Sequence, residues 1–380
     1  MSTRKILLLA GEESGLIYAE RLKDALQNAC PGEVVEFRGF QSEGFKTADL
    51  AVMGLWPVLK KIFFFLGVAR TMKRLIRTWR PDVVVTIDYP DMNLRLAGFA
   101  KGQGIPSVHI VCPQVWAWRQ HRIPKVAAAL TKLLCFLPFE PPLFATTGLT
   151  ARFIGHPLMD LVNSETKGLS PQEAKSASRC VAILPGSRIG EIQRLMPGLL
   201  ASLHVLASRG FENLKILVPA ANDRAFSEIE RIVRDCPPPA SFGFEVVRGK
   251  AREVLRQADC AAVASGTATL EAALVRCPAV VVYAVAPIVA WFLRRMIKGV
   301  RHAGLANVIA EKAGAKPPMP ELLQEAFTPE AVAAQLGEWL SCSTSREKAV
   351  AAIDATMEHL KSDGAALDNA AREILDCIAR

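Results

Sequence analysis

Two short apolar runs constrain this chain more than any other feature. Ile6–Ala10 ("ILLLA") and Cys180–Leu184 ("CVAIL") show no alternation of polar and apolar residues. A strand built from either must be covered on both faces, as in a parallel sheet flanked by helices. Each run ends in a glycine turn that carries an acidic residue and opens a helical stretch: "AGEESG" after the first, "PGSRIGE" after the second.

The same alternation fills the rest of the chain. "EVVEFRGF", "DVVVTID", "PSVHIV", "KLLCFLP" and "ARFIGHP" read as strands, with helical stretches around Leu16–Asn28, Phe63–Trp79 and Leu94–Gly102. The pattern restarts at Cys180 and continues through "KILVPA", "FEVVRG", "CAAVAS" and "AVVVYA". Repeated strand–helix units predict an α/β chain of two Rossmann-like, doubly wound parallel sheets. The expected domains are residues 1–162 and 163–344, with polar Asn163–Ser178 as the link and helix from about Thr344 onward. Ligands of such sheets bind outside the carboxyl ends of the strands. Both glycine turns are therefore expected to open into one central cleft.

Composition narrows the partners. Forty-six basic and 37 acidic residues leave a net charge of +9, which favours anionic ligands or surfaces. Nucleic acid is not expected, because no DNA-binding motif or stacking platform accompanies the charge. The nine cysteines form no CxxC pair, so they read as small buried residues of a reducing compartment, without structural zinc. The apolar core of the N-terminus is too short for a signal peptide. The run Ala279–Leu293 is too short for a membrane span and is broken by Pro287. A soluble or peripheral protein is expected.

The second glycine turn suits an anion. Gly186 permits close backbone approach, the following helix points its first amides at the turn, and Arg188 adds a guanidinium that fits phosphate. Ser187 is a candidate cap or ligand contact. "SGTATLE" repeats the chemistry: Gly266 and Thr267 open another helix, and Glu271 lies one turn in, where a carboxylate can accept from a ribose diol. Together they predict a nucleotide diphosphate in the second domain. The first turn, with Glu12, Glu13 and Ser14, repels phosphate and is not GxGxxG. It suits a hydroxyl-bearing acceptor instead.

Asp88 ends the strand "DVVVTID" and is the candidate general base for a hydroxyl nucleophile. Asp91, after Pro90, reads as a helix N-cap. No DxD occurs, so no metal site is expected and the diphosphate must be neutralised by amides and Arg188. His109 and His156 read as structural. Between Trp56 and Arg80 stand seven basic residues and no acid. Arg70, Lys73, Arg74 and Arg77 recur at helical spacing beside Phe63, Phe64 and Phe65, with Phe65, Leu66, Ala69, Met72 and Ile76 assigned to the opposite side. That pattern suits an interfacial helix on anionic lipid. "WFLRRMIKGVRH" (Trp291–His302) and "CPQVWAWRQHR" (Cys112–Arg122) read as similar amphipathic rims.

At these residues the chain resembles the lipid-A-disaccharide synthase family over nearly its whole length. The resemblance is carried by "AGEESG", "LAVMG", "IDYPDMN", "PQVWAWRQHR", "FLPFE", "FIGHPLMD", "LPGSRIGEI", "SGTATLEAAL", Ala306-Asn307 and "MPELLQE". It implies a GT-B glycosyltransferase of family 19, inverting and metal-independent, with no cofactor. Such an enzyme joins UDP-2,3-diacylglucosamine to 2,3-diacylglucosamine 1-phosphate (lipid X), and is cytoplasmic and peripheral on the inner face of the inner membrane. By match, Asp88 is the base; Gly186, Ser187, Arg188, Gly266, Thr267, Glu271 and Asn307 hold the donor; Glu12 and Ser14 face the acceptor. The C-terminal helices are expected to cross back to the first domain or to exchange in a homodimer. Two departures stand out: Leu16 replaces the usual aspartate of GExSGD, and Ala306 replaces the usual proline of Leu-Pro-Asn.

Two other classes share the scaffold. A UDP-sugar 2-epimerase would not need the basic aromatic helix. A non-catalytic lipid- or nucleotide-binding protein would not need Asp88.

Overall fold

A computed structural model of the chain describes residues 3–11, 13–45, 62–166, 179–286, 289–290, 295 and 299–378. The chain divides into two compact units, Met1–Asp160 with Leu360–Arg380, and Leu161–His359.

The first unit is built on β1 (Thr3–Ala10), β2 (Val34–Arg38), β3 (Val83–Ile87), β4 (Ser107–Ile110), β5 (Lys132–Cys135) and β6 (Thr150–Phe153). They pair in parallel in the order β2-β1-β3-β4-β5-β6. The order reverses between β1 and β3, so the switch point lies where the register pairs Ala10 with Ile87. The turns at Gly11 and Asp88 therefore stand side by side. Ile6, Leu7, Leu9, Val83, Val84, Val85 and Ile87 are wholly buried, as the unbroken apolar runs require. The last helix, Ala366–Ile378, packs along helix Glu13–Ala29 and is tied to β5 by the pair Lys132–Glu373.

The second unit repeats the plan with β7 (Cys180–Leu184), β8 (Lys215–Ala220), β9 (Gly243–Arg248), β10 (Cys260–Ala264), β11 (Ala279–Tyr283) and β12 (Glu321–Leu323). Their order is β12-β11-β10-β7-β8-β9, all parallel. The switch point lies between β7 and β10, where Leu184 pairs with Val263. That brings the turns at Gly186 and Gly266 together. Helix Ser343–Met357 packs in this unit, joined through Arg276 and Asp354. The link predicted at Asn163–Ser178 begins as helix, because Pro157–Thr166 is helical; residues 167–178 lie outside the described ones.

The basic helix spans Ile62–Trp79. Val68, Met72, Leu75 and Ile76 are buried, and Phe64, Phe65 and Trp79 pack against them. This corrects two sequence assignments. Phe64 and Phe65 face the core, stacking edge-on with Phe45 and each other, while Leu66 is 44% exposed and Phe63 84% exposed. On one outward stripe Phe63 and Leu66 thus precede exposed Arg70, Arg74 and Arg77, all spaced three or four residues apart. Lys73 and Arg77 lie over the Phe99 ring.

All nine cysteines are free thiols, and Cys236 and Cys342 are exposed rather than buried. His109 and His156 are buried, with pKa values pushed down by burial to about 3 and about 4. Cys112, Cys135 and Glu140 meet in the core within 4.8 Å. Spacing could not reveal that cluster, because the two thiols come from the ends of neighbouring strands.

Glu140 is 3% exposed, and burial pushes its pKa up to about 8 against the pull of its hydrogen bonds from Leu137 and Trp116. As pH rises from the ordinary glutamate value of 4.5 toward about 8, the unfolded chain ionises first while the fold retains its proton. Its own contribution to stability therefore falls across that window and levels off above it, while buried His109 and His156 contribute in the opposite sense below their ordinary value of 6.5. Chemical denaturation in steps through this range, run on the native chain and on Glu140→Gln, neutral throughout, should show the decline as the difference between the two.

Candidate functional site

Asp88 sits one residue past β3, and its backbone is left-handed, with φ of 50°; Tyr89 follows at 51°. Two consecutive non-glycine residues in that region store strain of roughly 1–3 kcal/mol each. The turn persists because Asn93 clamps it. Wholly buried, Asn93 donates through Nδ2 to the carbonyls of Leu9, Ile87 and Asp88 at 3.3, 3.2 and 2.7 Å. One amide thus ties β1, β3 and the turn together. The Tyr89 N–H donates to Asp88 Oδ1 at 2.8 Å. Half-buried Asp88 has its carboxyl pushed above the usual range by burial, with the Tyr89 amide opposing. A carboxylate so raised is a better proton acceptor.

Asp91 is not the cap predicted for it. Pro90 takes the first helical position, left-handed Tyr89 is the cap residue, and the helix runs Pro90–Gly102. Proline's fixed φ suits that first position. Asp91 instead pairs with Arg122 at 2.8 Å, joining this turn to the loop after β4. That loop is not an amphipathic rim either. Trp116 is buried and donates from Nε1 to Glu140 at 3.0 Å. Arg119 lies over Trp118, 4.0 Å from the ring centroid.

A side chain at Gly11 would strike the Tyr89 ring at 2.7 Å, so glycine there lets the two turns touch. Glu12 and the side chain of Ser14 lie outside the described residues. Leu16 helps to line a hollow of about 100 Å³ at the ends of β1 and β2, beside Lys23 and Arg38.

In the second unit Gly186 has φ of 108°. Ser187 and Arg188 are exposed, and Arg188 is the cap residue of helix Ile189–Ser208, which no side chain caps. Arg188 Nη1 donates to Glu191 Oε1 at 2.8 Å. Across the switch point, Gly266 adopts φ of 135° and is the cap residue of helix Thr267–Leu274, also without a side-chain cap; Thr267 is exposed. Glu271 is mostly buried and takes Arg252 Nη1 at 3.0 Å. Arg252 also binds Glu165, which pairs in turn with Arg256. Burial raises the Glu271 carboxyl, and Arg252 pulls it back.

Asn307 is not at a ligand-facing surface. It is wholly buried and donates to Met319 O at 2.7 Å and Glu321 Oε1 at 2.8 Å, while accepting from the Met319 amide. All its amide hydrogens are used inside the fold, which leaves none for the donor contact that the family resemblance implies. Glu321 accepts from the Ala303 and Gly304 amides, and Ser265 donates to Ala303 O at 2.7 Å. Asn307 thereby fixes the loop that braces the Gly266 turn. Ala306, in place of the usual proline, is buried beside it.

Sequence reasoning missed Asn93, Glu191, Arg252 and Tyr283. The first three are polar helix residues that look like ordinary helix polarity until their partners are known. The Tyr283 phenol, at the end of β11, is pushed up chiefly by burial, with smaller effects from the charges of Glu191, Arg188 and Arg194. Most of Trp291–His302 lies outside the described residues, as do residues 46–61, which include the start of the basic stretch.

A family model described as lipid-A-disaccharide synthetase matches residues 6–375. The lipid-A-disaccharide synthase of Syntrophus aciditrophicus is 36% identical over 376 residues, covering 95% of this chain and 94% of that one. Among solved structures, a putative UDP-N-acetylglucosamine 2-epimerase from Listeria monocytogenes superposes with a TM-score of 0.61 at 13% identity, covering 100% of this chain and 96% of that one. Acinetobacter baumannii MurG does so at 0.58 and 14%, covering 98% and 99%. At such identities the structural likeness speaks for the two-domain GT-B fold alone.

The clamp at Asp88 carries a direct expectation. Asn93→Ala removes a donor from three buried carbonyls and should cost about 1–3 kcal/mol of unfolding free energy. Denaturant titration of the purified variant measures it.

Proposed function

The chain belongs to the lipid-A-disaccharide synthase family, and from that premise we propose how its residues carry out the glycosyl transfer. The reaction joins UDP-2,3-diacylglucosamine to the 6-hydroxyl of 2,3-diacylglucosamine 1-phosphate, giving the β-1′,6-linked disaccharide 1-phosphate and UDP. The 2-epimerase reading is not favoured. It has only the shared fold behind it, at 13% identity, against a family match across residues 6–375.

The placement of Asp88 carries the mechanistic reading. A half-buried carboxylate stands at the switch point of the first sheet, in a strained turn clamped by Asn93. In this reading Asp88 takes the proton of the acceptor's 6-hydroxyl as that oxygen attacks the anomeric carbon. The UDP leaves from the opposite side of the sugar, so the configuration inverts. Asp88 works deprotonated; its raised pKa places the loss of turnover on acidification above the usual carboxylate range.

The donor's diphosphate is assigned to the paired turns of the second unit. Arg188 and the uncapped first amides after Arg188 and Gly266 supply the positive charge that the leaving group needs. Ser187 and Thr267 offer hydroxyls at the same edge. Glu271, held by Arg252, accepts from the ribose diol. These groups neutralise the leaving UDP without a divalent ion, and the mechanism we propose is metal-independent.

No described helix is long and apolar enough to cross a membrane. We assign contact with the inner face of the inner membrane to the outward stripe of helix Ile62–Trp79. Phe63 and Leu66 would enter the headgroup boundary while Arg70, Arg74 and Arg77 meet anionic lipid. Phe64 and Phe65 support that stripe from the core side.

Two measurements follow. Turnover of acyl-matched donor and acceptor in excess chelator should persist in the native chain. It should fall by about 10²–10⁴-fold in Asp88→Asn, which should also lack the acid limb. Unchanged turnover in that variant overturns the base assignment. On vesicles containing anionic lipid, Arg70→Glu with Arg74→Glu should weaken binding by at least about 1 kcal/mol per reversed charge. Binding indifferent to both substitutions would remove the membrane role from this stripe.

A further inference from the structure

Glu191 is the one acidic residue in the first turn of helix Ile189–Ser208, and it lies over the Gly186 turn. A methyl carbon built on Gly186 would stand 2.6 Å from Glu191 Oε2 and 3.0 Å from its Cβ. Gly186 is thus the residue that makes room for this carboxylate. Through its other oxygen Glu191 holds Arg188 Nη1 at 2.8 Å, and the two side chains are 24% and 64% exposed. A negative charge near a helix N-terminus is favourable on its own account. Here it also engages the guanidinium assigned to the diphosphate. The Tyr283 phenol at the end of β11 is influenced by the same carboxylate, by Arg188 and by Arg194, after the larger effect of burial. Glu191 therefore sits among the groups at the ends of β7 and β11, not out in solvent.

We infer that Glu191 is a positioning residue that competes with the donor's diphosphate for Arg188. The inference rests on the donor-site reading above. A phosphate gripped by both prongs of a guanidinium needs two N–H groups aligned side by side. While Nη1 is committed to Glu191, that fork is only partly available. The carboxylate and the diphosphate are also like charges drawn to one turn. Binding of the diphosphate swings the carboxylate off Arg188, and departure of UDP lets it return. The exchange keeps Arg188 extended over the turn and weakens the hold on the product, at the cost of some donor affinity.

The test is UDP binding by calorimetry on the full chain, in the native form, Glu191→Gln, Arg188→Ala and the double variant. Glu191→Gln should bind UDP about threefold to fivefold more tightly, the scale of a partly exposed ion pair. Arg188→Ala should bind it more weakly, and in that background Glu191→Gln should bring no gain. In turnover, Glu191→Gln should lower the donor KM more than it changes kcat, which loss of mere structural support would not do. Glu191→Asp, too short to keep the contact, should shift UDP affinity the same way and guards against a folding defect in the glutamine variant. Unchanged or weaker UDP binding in both Glu191 variants, with Arg188→Ala still weakened, overturns the competition and leaves the donor site standing. An equal gain with and without Arg188 overturns it as well, because the effect would then be general repulsion. Unchanged UDP binding in Arg188→Ala overturns the donor-site reading itself.

Discussion

A parallel strand buried on both faces has to end somewhere, and its last carbonyls then need donors in a place water does not reach. The chemistry of this chain is organised around that constraint. At the end of β3 the answer is Asn93, whose single amide nitrogen serves three carbonyls from two strands and a turn. With those carbonyls satisfied, the backbone can hold two consecutive left-handed residues. Without that support Asp88 would relax toward an ordinary loop conformation, and its carboxylate would swing with it. The strained turn and the candidate base are one arrangement.

The second unit solves the same problem with charge. Its two helices at the switch point begin without side-chain caps, so their first amides depend on what the turns bring to them. Glu191 and Arg188 form one balanced pair over the Gly186 turn. Glu271, Arg252, Glu165 and Arg256 form a larger network beside the Gly266 turn. Burial raises the Glu271 carboxyl, and Arg252 pulls against that rise. Hydrogen bonds do the bracing below: Thr269 donates to Gly266 O and accepts from the Leu305 amide. Asn307 and Glu321 fasten the adjoining loop.

How legible this was depends on the range of the interaction. Strand continuity and helix spacing are local, so the two sheets and most elements follow from pattern alone. Among the strands the exception is β12, three residues long and too short to carry a period, and helices such as Asp223–Asp235 and Pro329–Ser341 went unread. The placement of Asp88 and Arg188 in the turns after strands was legible because it is local too. Asn307 misled for the opposite reason. The family resemblance marks it as a donor contact, yet its partners at Met319 and Glu321 arrive from twelve and fourteen residues away and use its amide completely. The three phenylalanines failed in another way. A triplet covers most of a helix circumference, so Phe63 must point away from whichever face Phe64 and Phe65 share, and only the packing decides which is which. Long-range pairs such as Arg252 with Glu165, separated by 87 positions, leave no local trace at all.

The likeness to UDP-sugar epimerases and to MurG raises the question of what turns one scaffold into different enzymes. The sheets cannot be the answer, since they are what is shared. A group that binds a sugar nucleotide needs only the uncapped helix starts and a cation, and those features belong to the second sheet. Transfer to a lipid acceptor asks for two more: a base in the first unit and a surface that meets the acyl chains. For the first we propose Asp88. For the second we propose the outward stripe of helix Ile62–Trp79, where Phe63 and Leu66 stand exposed ahead of three arginines. Burying that stripe in the fold would strip three cations of their hydration, a cost that the place of Arg77 over the Phe99 ring offsets only in part. The stripe is therefore stable only against water or against something anionic, and an exposed phenylalanine at its head favours the boundary between the two.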